Sequence, residues 1–142
     1  MFNIDNNTNL IGRIESRDLS KGLFKNKDGS RKMRFTLAVQ DNYRGADGQY
    51  GKQDIPVEAF IPKNMVKVDE ATGEENYGIY STLHTGDLIA VSARLMSNNY
   101  EKDGKMVYDG IVVRIDQVKH LETRTASEAR AQQKAAAAAV AE

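Results

Sequence analysis

Arg34, Tyr43, Arg44, Phe60, Arg94, Tyr100 and Lys102 bring two side-chain chemistries together at strand-like spacing, with Tyr50, Lys52, Lys105 and Tyr108 close by in the chain. Aromatic rings offer flat faces on which another planar group can stack, while guanidinium and ammonium groups offer lasting positive charge to an anion. Together they suit a ligand that alternates planar groups with anionic ones. Catalytic chemistry is poorly represented. His84 lies beside a turn and His120 near the end of the last strand, neither with an obvious local carboxylate partner, so both read as structural or solvated. Asp69, Glu70, Glu74 and Glu75 could clasp a hard cation but lack the spaced loop of a calcium site, and read as a solvated acidic loop. There is no cysteine, phosphate-cradling glycine motif, nucleophile elbow or zinc spacing. The expectation is a protein with no enzymatic activity, cofactor or metal.

Strands must position these groups. Met33, Phe35, Leu37 and Val39 alternate with Arg34, Thr36 and Ala38 in a strand over Arg31 to Gln40, which follows an Asp28-Gly29 hairpin turn. Ile55, Val57, Ala59 and Ile61 face inward in the next strand, leaving Glu58 and Phe60 outside and Pro56 at an edge or irregularity. A strand over Asp87 to Tyr100 puts Ile89, Val91, Ala93 and Leu95 inside and Arg94, Met96, Asn98 and Tyr100 outside. A first strand spans Asn9 to Glu15, with Gly12 suggesting a bend or bulge. A fifth follows the Asp103-Gly104 turn from Met106 to Leu121, broken near Asp116. Asn42 to Lys52 reads as a polar loop, Pro62 to Gly78 as an acidic inserted loop, and Ile79 to Leu83 as a short helix.

Five strands with a longer connection between the third and fourth predict an all-β protein, an OB-fold five-stranded Greek-key barrel, with an open sandwich as the rival. The barrel domain is assigned to residues 1–122. Residues 123–142 form an Ala-rich tail, a marginal helix or disordered, with Ser127 as a candidate cap.

Lysines plus arginines equal aspartates plus glutamates at 20 each, so bulk charge argues for no polyanionic partner. Their distribution is uneven. From Gly12 to Arg34 the bases Arg13, Arg17, Lys21, Lys25, Lys27, Arg31, Lys32 and Arg34 exceed Glu15, Asp18 and Asp28 by five charges. From Asp54 to Val91, Asp54, Glu58, Asp69, Glu70, Glu74, Glu75 and Asp87 exceed Lys63 and Lys67 by the same five. No apolar run reaches the ~18 to 20 residues of a membrane span, and Met1-Phe2-Asn3-Ile4-Asp5 lacks the character of a signal peptide. A cytoplasmic protein with no membrane partner is expected, and the absence of cysteine fits a reducing compartment.

A face interleaving rings and cations matches single-stranded nucleic acid. Unpaired bases stack on rings for ~1–3 kcal/mol each whatever their identity, and phosphates pair with arginine and lysine. The alternative is an OB-fold protein-interaction or assembly module using the same aromatic face. An RNA binder is the less favoured third reading, because no feature reads a 2′-hydroxyl.

Leu10-Ile11-Gly12-Arg13-Ile14, Asp28-Gly29-Ser30, Phe35-Thr36-Leu37-Ala38-Val39, Gly86-Asp87-Leu88-Ile89-Ala90-Val91, Asn99-Tyr100 and Gly110-Ile111-Val112-Val113, in this order, resemble bacterial and phage single-stranded DNA-binding proteins over residues 8–122. The resemblance implies an OB domain that wraps single-stranded DNA around a homotetramer and protects it during replication or recombination. It implies stacking by Tyr43, Phe60 and Tyr100 and phosphate contacts by Arg13, Arg34 and Arg94. Three features depart from the family. Asp54 stands where an aromatic is common, and the connection from Pro62 to Thr85 is longer. The chain ends Ala139-Val140-Ala141-Glu142 instead of in an acidic tip finishing Pro-Phe, which argues against recruiting repair or replication enzymes by that route and suits a phage, plasmid or other mobile-element version.

Overall fold

The computed structural model describes residues 5–16 and 22–140. Arg17, Asp18 and Lys21 of the basic segment, the first four residues and the last two lie outside the described residues. Among the described residues eight strands form: β1 (Thr8–Ser16), β2 (Leu23–Lys25), β3 (Arg31–Arg44), β4 (Tyr50–Ile61), β5 (Lys67–Val68), β6 (Glu75–Asn76), β7 (Leu88–Lys102) and β8 (Lys105–His120), followed by helix α1 (Arg124–Val140).

The main sheet runs β1-β7-β8-β4-β3-β2, and β1 also pairs with β3, so β1, β7, β8, β4 and β3 close on themselves. That closure excludes the open sandwich. The β4–β8 pairing is parallel and the other barrel pairings are antiparallel, which is the Greek-key arrangement of an OB-fold. Inward positions from all five barrel strands fill the core: Ile14, Met33, Phe35, Leu37, Val57, Ala59, Ile61, Ile89, Val91 and Ile115, joined by Tyr77, Tyr80 and Leu83 from the β4–β7 connection.

The alternation read for the core strands holds, and its exceptions have physical causes. Leu95, expected inside, is 44% exposed, because β7 runs on past the closed barrel into a free ribbon. Asn42 to Lys52 is mostly strand, not loop: β3 continues to Arg44, β4 begins at Tyr50, and only residues 45–49 turn. Hydrophobic alternation fades there because both faces of a projecting ribbon meet solvent, although backbone pairing persists. β8 is continuous where a break was expected. Ser92 pairs with Gln117 and Ala93 with Ile115, so Asp116 is the extra residue of a bulge.

A second bulge in β8 falls between the Ser97–Ile111 and Asn99–Tyr108 pairs and includes Gly110 at φ 80°. Asp103 and Gly104 both take positive φ and join Lys102 to Lys105 in a two-residue turn, as the Asp-Gly signal predicted. Gly12 is needed for contact: a Cβ there would lie 2.6 Å from the Ala38 carbonyl oxygen, and the nearby register shift falls between Ile14 and Ser16 instead.

The connection after β4 is built, not a bare acidic loop. It holds short 3-10 helices at Lys63–Met65 and Gly78–Thr82, the latter one residue from the short helix expected at Ile79 to Leu83, and the β5–β6 hairpin. Glu75 fastens it, accepting from Arg31 Nε at 3.1 Å, Arg31 Nη2 at 2.7 Å and the Tyr77 hydroxyl at 2.5 Å. Those donors hold the Glu75 carboxyl down at about 2, while burial and then Glu75 push the Tyr77 phenol up to about 12. Basic β3 thus meets part of the acidic segment in space, and much of the charge asymmetry of the sequence cancels locally.

The alanine-rich tail is helical from Arg124 to Val140. Thr123 Oγ1 accepts from Ala126 N at 3.2 Å and caps its first turn, while the side chain of Ser127, the expected cap, lies outside the described residues. Glu122 ties the helix to the barrel by pairing with Arg13 of β1 at 2.7 Å and Arg130 of α1 at 2.8 Å.

Candidate functional site

On β4, Tyr50, Lys52, Asp54, Pro56, Glu58 and Phe60 fall at alternate positions on the side opposite the core residues Val57, Ala59 and Ile61. Register extends this track sideways: Arg34 of β3 sits opposite Glu58, Glu58 beside Arg114 of β8, and Arg114 opposite Arg94 of β7. One row across four strands therefore reads Arg34, Glu58, Arg114, Arg94. The parallel β4–β8 register also sends the β3–β4 and β7–β8 hairpins out from the same end of the barrel, flanking the row.

Glu58 organises the row from within. Only 3% exposed, it accepts from Arg34 Nε at 3.2 Å and Arg114 Nη2 at 2.8 Å, with Lys32 Nζ at 3.9 Å. Burial pushes its carboxyl up, but Arg114, Lys32 and Arg34 more than offset that and hold it below the usual glutamate range. The same bases sit over rings. Arg114 lies 5.9 Å from the centroid of Phe60, and Arg34 and Lys32 lie 5.4 and 5.8 Å from that of Phe24. Phe24 and Phe60 remain 43% and 42% exposed, so rings and cations form one accessible surface.

Several of the expected residues join this face. Phe60, Arg34 and Arg94 lie in or beside the row, and Tyr100 follows Arg94, Met96 and Asn98 at alternate positions of β7. Tyr50 continues the β4 track, with Arg44 stacked 5.4 Å above it. Tyr43 is exposed at the end of β3, and Lys102 and Lys105 flank the tip of the second hairpin. Tyr108 pairs with Asn99 while Tyr100 pairs with Val107, which turns the two tyrosines to opposite sides of their ribbon.

Two of the expected cations have partners elsewhere. Arg13 donates to the Gly86 carbonyl at 3.1 Å and to Glu122, on the stretch of β1 between Ala38 and Leu88. Lys52 is held by Glu15 and Asp54, whose hydrogen bonds raise its ammonium above the usual lysine range.

Sequence reasoning missed Arg114, Lys32 and Phe24. The two bulges in β8 shift its alternation, so its facing could not be read, and Phe24 lies on a three-residue strand too short to show a period. The histidines lie at the end of β8 remote from the hairpin turn. His120 Nε2 is 2.8 Å from Thr82 Oγ1, and His84 Nδ1 is 2.9 Å from the Thr82 carbonyl, beside a cavity of about 510 Å³. Asp87 comes within 3.9 Å of the His84 ring, a carboxylate neighbour not recognised in the sequence. Among the described residues no cluster of three or more acidic, histidine or cysteine side chains could hold a metal.

The sequence matches no family model and no curated protein. Among solved structures, the chain is similar to a deletion mutant of the single-stranded DNA binding protein from Thermus aquaticus, at 26% identity, with a TM-score of 0.52 over 84% of this chain and 51% of that one. It thus spans about half of that relative's length. The dimeric N-terminal domain of PriB from Thermoanaerobacter tencongensis aligns at 14% identity and a TM-score of 0.46, over 84% of this chain and 99% of that one. The first of these similarities supports a relationship to the single-stranded DNA-binding protein family and agrees with the resemblance read from the motifs.

Proposed function

We propose that this protein binds single-stranded DNA with little regard to sequence, coating exposed strands during replication or recombination. The observation that carries the reading is the four-strand row of Arg34, Glu58, Arg114 and Arg94, with Phe24 and Phe60 open beside it and two ring-bearing hairpins projecting from the same end of the barrel. Bases stack on Phe60, Phe24, Tyr50 and Tyr100, and phosphates pair with Arg34, Arg94, Arg114 and the lysines at the tip of the second hairpin. Binding needs no bond making and no cofactor. The reading includes a homotetramer, which rests on the family resemblance and is tested by sedimentation.

Fluorescence anisotropy with a labelled dT oligonucleotide tests the binding. Affinity should fall steeply between about 50 and 200 mM salt as counterions released by phosphate contacts return. An affinity insensitive to salt, or no binding, contradicts the proposal.

A further inference from the structure

Asp116 is out of place on this face. It is the bulged residue of β8, its side chain is 44% exposed, and it borders a cavity of about 270 Å³ lined also by Phe60, Met65, Tyr80, Arg94 and Arg114. A carboxylate accessible on a surface that receives phosphates repels the ligand unless it makes a bond that repays the repulsion. Among the described residues Asp116 forms an ion pair with Arg94, at 3.5 Å from Nε to Oδ1, a distance too long for a good hydrogen bond, so its oxygens keep acceptor capacity for a ligand. Burial and then this same carboxylate raise the Tyr80 phenol above its usual range, which agrees with the two groups sharing the cavity.

We propose, resting on the strand-binding reading above, that this cavity is one subsite that prefers guanine on an otherwise sequence-tolerant face. Its size is at the small end for ligand pockets and suits one base better than a larger ligand. Phe60 forms a stacking wall and the cation over it, Arg114, is held in place by Glu58. An ionised carboxylate is an acceptor with two parallel oxygens. On the base edges that single strands expose, only guanine presents two adjacent donors, N1–H and the 2-amino group, that a carboxylate can grip with both oxygens. Adenine, cytosine and thymine each offer one donor site there beside acceptors that face the carboxylate unfavourably. Arg94, exposed beside Asp116, supplies donors for guanine O6 or the neighbouring phosphate. The bulge supports this assignment, since bulges re-aim side chains at functional positions.

Competition titrations on the full chain test the subsite, using dT strands of about fifteen nucleotides that carry one central dG, dA, dC or deoxyinosine. The dG strand should bind about tenfold tighter than plain dT, and deoxyinosine, which lacks the 2-amino group, should lose most of that gain. Asp116→Asn should bring the dG-to-dT ratio close to one while slightly raising affinity for plain dT, because a like charge has been removed. A misfolded variant would lose both. Equal wild-type affinity for all five strands overturns the subsite and leaves strand binding intact, as does a guanine preference that survives in D116N. Failure of every strand to bind overturns the subsite and the proposed function together.

Discussion

Replacing Glu58 with glutamine should move stability and DNA affinity in opposite directions. The carboxylate is buried and holds Arg34, Arg114 and Lys32. Glutamine keeps one acceptor oxygen, but it loses the charge and turns an amide N–H₂ toward guanidinium groups. Removing one member of a fully buried pair costs about 3–5 kcal/mol. Arg34 and Lys32 keep 49% and 31% of their side-chain surface in water, so the loss here should be nearer 2 kcal/mol. For a chain of this size that is a fall in Tm of roughly 6–8 °C.

Binding should gain from the same change. Arg34 and Arg114 would face the strand without an internal counter-charge, and each further phosphate neutralised steepens the plot of log affinity against log salt by about 0.7. The variant should therefore bind dT about fivefold tighter at low salt, from roughly 1 kcal/mol for an added exposed ion pair, with a slope steeper by about 0.7 to 1.4. Thermal melts and anisotropy titrations at several salt concentrations read both effects. Weaker binding with an unchanged slope would refute the reasoning, because it would make Glu58 a support for a face that the strand does not touch.

Phe60→Ala should leave the fold intact, since the ring is 42% exposed, and should weaken dT binding about tenfold, the loss expected for one stacking partner; titration reads it directly. Glu75 titrates at about 2 in the folded protein against an ordinary 4.5, so its pairing stabilises fully above 4.5 and is lost as pH falls through about 2. Allowing for solvent screening, that is on the order of 1–2 kcal/mol, and Glu75→Gln should flatten stability against pH between 4.5 and 2 in urea melts. Gly12→Ala should destabilise by about 1–3 kcal/mol, because its new methyl would meet the Ala38 carbonyl oxygen at 2.6 Å and neither strand can retreat without opening the barrel; Gly73→Ala, with open space around its Cβ position, should lose about 1 kcal/mol from its positive φ alone.

The barrel was legible because period-two alternation is written where one face of a strand meets the core: Met33, Phe35 and Leu37, Val57, Ala59 and Ile61, and Ile89, Val91 and Ala93 are inside as read. The ends of the hairpins were not legible, since Asn42 to Arg44 and Tyr50 to Lys52 face solvent on both sides and carry no such pattern. β8 hid its outer face for another reason: bulges at Gly110 and Asp116 shift the register, so counting alternate residues could not reveal that Arg114 joins Arg34 and Arg94. The separate charge runs misled in part, because Arg31 meets Glu75 and Arg34 meets Glu58 only once the chain has folded. Phe60 needed no such help, lying within an unbroken inward-outward alternation.

The central claim is that a single strand lies across the outer side of β3, β4, β8 and β7. Backbone amide chemical-shift mapping during titration with a dT oligonucleotide tests it most directly. The account predicts the largest shifts on β4 from Tyr50 to Phe60, around Arg34, from Arg94 to Tyr100 and around Arg114, with little change along the β5–β6 hairpin or in α1. Shifts confined to β5–β6, to α1 or to the cavity beside His84 and His120 would contradict it.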